Sequence, residues 1–318
     1  MPAQNLPDDR VFVGIPCYKR HEGLSDTIRC LQQQTHSNWT AVVFDNASPN
    51  EEMRRVAEQA CSADNRVRYF CHPENIGAAA NFRFAAMQAD APYFMWASDD
   101  DQWHPEFIST NLQQLNDTPQ AQMSFCTVDV INIFGDVLFR CPGFSRFCSC
   151  GDAYKDAVNY LEDPEALGKA NLIYGIYRTP AVQSCVNAFW DRAFARFYGG
   201  DVVFVYAFIC RHAIVAHDAV HMRKRQPTRA RTKIHWRHPR TYRVSRSTEF
   251  ESYLQRFSDI SPNPELAALA ERILRRRQKE RFLYYLPFLA ALVTNNNRKT
   301  VQWPKTPQQV QISPNPWG

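Results

Sequence analysis

Several features are scarce or missing in this chain. No apolar run among its 318 residues reaches the roughly 20 needed for a membrane-spanning helix. The best candidate, FLYYLPFLAALV (Phe282 to Val293), is about half that length and contains Pro287. The N-terminal stretch MPAQNLPDDRVFVGIP carries acids where a secretory signal carries bases, so no export signal is expected. Of ten cysteines, none forms a CxxC pair, and the one cluster (Cys141, Cys148, Cys150) has no well-placed histidine. This speaks against a zinc site and for reduced, mostly buried thiols in a cytosolic protein. The segment IPCYKRHEG lacks the glycine density of a phosphate-cradling loop, which argues against a nucleotidyltransferase. There is no internal repeat and no low-complexity tract.

What is present reads as globular: 45% hydrophobic and 22% charged residues. The net charge of +5 is unevenly spread. The chain is strongly basic from Arg223 to Arg246 and from Arg272 to Arg281, which points to an anionic partner for the C-terminal third.

Short β-branched runs alternate with helical patterns along the first part of the chain. VFVGIP, TAVVFD, VRYFC and PYFMWA read as strands. GLSDTIRCLQQQ, the segment after Pro49, NIGAAANFRFAAMQA and PEFISTNLQQL read as helices. Such alternation implies βαβ units and a mostly parallel sheet, with ligands bound at the carboxyl ends of the strands. Polar residues cluster at those ends: Tyr18 and Glu22, then Asp45 and Asn46, then Asn75, then Asp99 to Asp101. Further on, MSFCTVDVINIFGDVLF reads as a strand, a Gly135–Asp136 turn and a return strand. NLIYGIYR and IVAHDAVHMRKR read as strands. PAVQSCVNAFW, the segment from Asp201, and PELAALAERILRRRQKERFLYYL read as helices. The basic stretch RKRQPTRARTKIHWRHPRTYRVSR has no clear period and reads as a loop or as a segment that orders on binding.

In YFMWASDDDQWHP an apolar run ends in three adjacent acids. Carboxylates suit a hard divalent ion such as Mg²⁺ or Mn²⁺, which in turn holds a pyrophosphate. The alternative is a helix N-terminus decorated with acids.

Four segments, VGIPCYKRHEGLSDTIRCLQQQT, VVFDNASPN, NIGAAANFRFAA and WASDDDQWHPEF, occur in the order and spacing of inverting family 2 glycosyltransferases, which the segment from Val11 to about Phe107 resembles. The resemblance implies a GT-A-like α/β fold: a mostly parallel central sheet flanked by helices, a mixed acceptor-side half and a basic helical C-terminal extension. It implies that Pro16 and Tyr18 line the base pocket, that Glu22 follows them, and that Asp45 accepts from the base edge. Asn75 and Gly77 then pack near the nucleotide. Asp100 is the implied metal ligand, Asp99 faces ribose and metal, and Asp101 is an alternate ligand. The chain departs from the commoner pattern at Ser98, where many members have Asp, and at Ala80, where many have Arg. Read locally, Asp45 and Asn75–Gly77 are also ordinary turn residues and Glu22 a solvated helix-start acid.

Inverting transfer needs a base opposite the leaving group. Asp201, in YGGDVVFVYAF, is similar to the acid that follows the metal motif in this family; it is also a natural helix N-cap. His217 or His221 could join the metal, and Arg223, Lys224 and Arg225 could close over a diphosphate. The basic helix near Arg272 to Arg281 either meets an anionic membrane or packs its Ile273, Phe282 and Leu286 on the body.

The expectation is a metal-dependent glycosyltransferase using Mn²⁺ or Mg²⁺. It moves sugar from a nucleotide-diphosphate donor to a glycan or lipid-linked oligosaccharide acceptor in surface polysaccharide synthesis, in the cytoplasm or on the membrane's cytoplasmic face. Residues 1–120 form the donor half, 121–225 the acceptor half, and 226–318 the basic loop, helices and tail. The non-enzymatic alternative is nucleic-acid binding by the basic third, with Trp236 and Tyr242 as stacking groups.

Overall fold

The computed structural model describes residues 8–132, 135–148, 151–196, 199–225 and 239–294; side chains of residues 166, 239–247 and 280–294 lie outside the description. β1 (Val11–Cys17), α1 (His21–Gln32), β2 (Trp39–Asp45), α2 (Glu51–Ala63), β3 (Val67–Cys71), α3 (Ala78–Met87) and β4 (Tyr93–Trp96) follow one another. β5 (Gln102–Trp103), α4 (Phe107–Asp117), β6 (Ala121–Ile131), β7 (Val137–Arg140), α5 (Ala153–Glu162), β8 (Ile176–Arg178) and α6 (Thr179–Ala193) come next. α7 (Gly200–Ile209), β9 (Ala213–Arg225), α8 (Pro239–Ile260) and α9 (Pro264–Thr294) complete the order.

The strands form one sheet in the order β3-β2-β1-β4-β8-β6-β9-β5, with β7 on the side of β6. β3, β2, β1 and β4 are mutually parallel, as the alternation predicts. Their burial explains their composition: every residue of β1 and β4 is buried, so both faces must be apolar. α1 covers one face with Leu24, Ile28 and Leu31. Beyond β4 the sheet is mixed: β8 is antiparallel to β4 and β6, β9 is parallel to β6, and β5 is antiparallel to β9. Trp96 at the end of β4 stacks on Trp190 of α6 at 5.6 Å and meets Phe204 of α7 edge-on at 5.9 Å, joining the two halves into one core.

Two readings need correction. NLIYGIYR is mostly not strand: Lys169–Tyr174 forms a 3₁₀ turn and only Ile176–Arg178 pairs. The buried Lys169 ammonium donates to the Tyr160 and Asp163 carbonyls, both at 2.7 Å, and so holds the turn. The basic stretch is not simply a loop: Arg223–Arg225 end β9, as the strand reading of IVAHDAVHMRKR has them, and α8 begins at Pro239. Residues 226–238, with Trp236, lie outside the described residues, as does the side chain of Tyr242. The short β5 and the helix α5, capped by the Asp152 carboxylate accepting from the Lys155 N–H, carried no signal that was read.

On α9, Ile273 and Leu274 are buried. Arg275 pairs with Glu251 and Glu271, and Arg276 with Glu162, so these cations are partly spent on neighbouring acids. The Phe282 and Leu286 side chains lie outside the described residues. Among the described residues no helix is long and apolar enough to cross a membrane.

Candidate active site

The parallel register sets the site's frame. Cys17 lies beside Asp45, and Asp45 beside Cys71, so these strands end at one level. The loops that follow bring Tyr18 to Arg20, Asn46, Asn75 and Asp99 to Asp101 to a common edge.

The three acids are not equivalent. Asp101 is fully buried; its Oδ2 accepts from Lys224 Nζ at 2.6 Å and its Oδ1 from the Arg225 backbone N–H at 3.0 Å. Both oxygens therefore have partners from β9. Burial pushes the Lys224 pKa down, but the charge of Asp101 with Tyr174 and Asp100 outweighs this and holds the ammonium above its ordinary range. Asp99 is also fully buried, and Asp100 is partly open. The Arg20 guanidinium bridges them, donating to Asp99 Oδ1 and Asp100 Oδ2. Among the described residues, Asp99 Oδ2 has no hydrogen-bond partner. Burial raises the Asp99 carboxyl to about 7 against the lowering effect of Arg20, with Asp100 adding repulsion. Ser98 Oγ donates to Asp100 Oδ1 at 2.6 Å, so a hydroxyl stands where many family members have a carboxylate.

A buried carboxylate oxygen with no partner, beside a half-open second carboxylate, is a donor set that fits a hard divalent cation. Asp99 and Asp100 supply it; Asp101 is held on its far side by Lys224. Gly23 of α1 makes the close approach possible, since its Cα side faces the Asp99 backbone.

On the donor side, Pro16 is buried within β1, and the Tyr18 ring is 37% exposed with the Lys19 ammonium 4.7 Å from its centroid. Lys19 has a positive φ of 68°. Its N–H donates to Ser48 Oγ, which fixes the two loops together. Asp45 is buried, with Oδ1 accepting from the Ser48 N–H and Oδ2 from the Tyr69 hydroxyl. Those bonds serve the turn reading of Asp45. Asn75 Oδ1 accepts from Asn46 and from the Gly77 N–H, and Gly77 takes φ 87° at the start of α3. Glu22 points outward and sits 3.5 Å from His21, away from the acids.

Asp201 stands in the first turn of α7 and lines a cavity of about 950 Å³ with Tyr174, Ala78, Phe82, Arg196 and Glu249. Burial raises its pKa, against the lowering effect of the Val202 N–H that donates to its Oδ1 at 2.8 Å. Gly199 takes φ 68° before it, a conformation that suits glycine. The Tyr174 hydroxyl is 3.4 Å from Lys224 Nζ, so one lysine touches both the cavity wall and the acid cluster.

His221 stacks on His104 at 5.0 Å, beyond β5, and His217 meets His221 edge-on at 5.1 Å. Arg20, Tyr174 and Gly23 were missed as site parts, and Lys224, read as a cation that could close over a diphosphate, here holds Asp101. Arg20 stood in the quoted motif, but nothing local tells a loop cation that its partners are 79 and 80 residues away.

Residues 12–150 match the pattern of Glycosyl transferase family 2. That segment belongs to the family. Protein CgeD of Bacillus subtilis is 24% identical over 204 residues, 62% of this chain and 45% of that protein. A teichuronic acid biosynthesis glycosyltransferase, TuaG of Bacillus subtilis, is 26% identical over 103 residues, 32% of this chain and 40% of that protein. The chain thus spans less than half the length of these relatives. The structure of Staphylococcus aureus TarS residues 1–349 in complex with UDP-GlcNAc superposes with a TM-score of 0.57 at 13% identity, covering 84% of this chain and 72% of that one. The fold is GT-A-like: a mixed sheet flanked by helices, with the parallel half carrying the matched segment.

Proposed function

We propose that the protein transfers a sugar from a nucleotide-diphosphate donor to a hydroxyl of a glycan or lipid-linked acceptor in surface polysaccharide synthesis. The observation that carries this reading is the placement of Asp201. A half-buried carboxylate faces a cavity large enough for a glycosyl acceptor, whose Tyr174 wall is joined through Lys224 to the acid cluster at the strand ends. The family match and the TarS likeness support the reaction class, and TuaG supports a surface-polysaccharide setting.

In this reading the nucleotide lies over the ends of β1, β2 and β3, between the Tyr18 ring and the Asn46–Asn75 pair. Asp99 and Asp100 would hold Mn²⁺ or Mg²⁺, which neutralises the diphosphate leaving group when bound. Arg20 occupies the same carboxylates and moves to the phosphates as the donor enters. Asp101 with Lys224 fixes the loop that presents the other two acids. Asp201 takes the proton from the acceptor hydroxyl; its raised pKa strengthens it as a base while leaving it ionised above its own titration. Inversion needs no covalent enzyme intermediate, and no nucleophile is required of the protein. The cytoplasmic face of a membrane is the natural setting for lipid-linked acceptors, with the exposed basic residues of α9 toward it.

The test is calorimetric titration with UDP, GDP, dTDP and CDP, each with and without Mn²⁺. Binding of one nucleotide that needs Mn²⁺ and is lost in Asp100→Ala is expected. Binding of every nucleotide equally in Asp100→Ala, or of none by folded protein, would overturn the reading. Steeply salt-dependent RNA binding without metal would favour the nucleic-acid alternative instead.

A further inference from the structure

A second cluster of ligand-bearing side chains lies outside the site described above. His104, Glu106 and His221 each bring one ligand atom, all within 4.8 Å of one another. We propose that these three residues form a site for a Zn²⁺-class transition metal, clamping the corner between β5 and α4 onto β9.

The corner is built before any metal arrives. The His104 N–H donates to the His221 carbonyl at 2.9 Å. The His104 carbonyl accepts from Gln34 Nε2 at 2.8 Å and from the Phe107 N–H at 2.9 Å. The two imidazoles stack at 5.0 Å and only 12° from parallel, so both rings present an edge to the same side. Glu106 Oε2 sits there, 4.0 Å from His104 Nδ1 and 3.9 Å from His221 Nε2. Glu106 is 59% exposed and free to draw in; zinc bonds near 2 Å to nitrogen and oxygen need only that contraction.

The His221 ring is nine-tenths buried, which holds its Nε2 edge toward Glu106. The Glu106 N–H donates to His104 Nδ1 at 3.3 Å, a bond that a cation would replace. Two imidazoles and one carboxylate suit zinc, whereas the all-carboxylate pair Asp99–Asp100 suits Mg²⁺ or Mn²⁺. The two sites are therefore distinguishable by metal type.

The location gives the clamp a consequence. His221 lies three positions before Lys224 on β9, the residue that holds Asp101. Fixing His221 to His104 fixes the β5–β9 register that seats the acid loop, where Trp103 faces Met222. This inference stands apart from the proposed sugar transfer and does not need it.

The experiment uses Co²⁺ and Zn²⁺ on the full chain, with metal-free protein as the start. Co²⁺ absorbance should show d–d bands without the near-ultraviolet thiolate charge-transfer band, because the ten cysteines are not ligands. One Zn²⁺ should displace it and raise the melting temperature. His104→Gln and, independently, the exposed Glu106→Gln should each weaken Co²⁺ binding by more than the roughly 10–100-fold that loss of a supporting partner costs. Asp100→Asn should leave it unchanged. Binding that persists in both variants, that shows thiolate bands, or that vanishes in Asp100→Asn would overturn the proposal, as would no binding by folded wild type.

Discussion

A Cβ placed on Gly23 would stand 2.1 Å from the Asp99 carbonyl oxygen and 3.1 Å from the Asp100 Cα. The first turn of α1 is thus pressed directly against the backbone that carries the two half-committed acids. Glycine is needed here for its lack of a side chain, not for its backbone freedom.

Gly23→Ala should therefore do more than its small size suggests. Backbone cannot step aside as a flexible side chain can, so overpacking should cost about 1–3 kcal/mol. The displaced acids should also lose Mn²⁺-dependent nucleotide binding. Urea melts and calorimetry on the same variant check both effects.

Lys224→Met should leave Asp101 as a buried carboxylate without its cation. Breaking such a pair from one side costs about 3–5 kcal/mol when fully buried, and about 2–4 here because Lys224 keeps some solvent contact. Adding Asp101→Asn to that variant should recover part of the loss, as a double-mutant cycle will read out.

The buried Asp99 gives a pH dependence whose sign is fixed. Its carboxyl titrates near 7 in the folded protein against an ordinary 3.8. Between those values the native state holds a proton that the unfolded chain has lost, so stability falls as pH rises through this window. Asp99→Asn should flatten that fall. Mn²⁺ must displace the same proton, so its affinity should rise by up to about tenfold per pH unit below 7 and level off above. Melts and Mn²⁺ titrations from pH 5 to 8 test the pair of trends.

Asp201→Asn should lower the turnover of sugar transfer by about 10²–10⁴-fold and leave Mn²⁺-dependent nucleotide binding intact, because a base acts on the acceptor rather than the donor. The acidic limb of the wild-type rate profile should sit above that of an ordinary carboxylate, since burial raises Asp201. An Asp201→Asn enzyme that keeps wild-type turnover would remove the assigned base.

The sequence by itself determined the parallel half and the edge where the polar residues meet. Buried strands must be apolar along their whole length, and short loops after parallel strands must deliver Tyr18, Asp45, Asn75 and Asp99 to Asp101 to one side. Periodicity carries that information locally. What each acid is bonded to was decided only by tertiary structure. Lys224 reaches Asp101 across 123 positions, and Asp45 spends its oxygens on Ser48 and Tyr69. The two-residue β5 is too short to show any period, yet its pairing with β9 is what brings His104 to His221. Contacts of that kind depend on strand register, and a register shift of one residue would turn each of these side chains to the other face of the sheet.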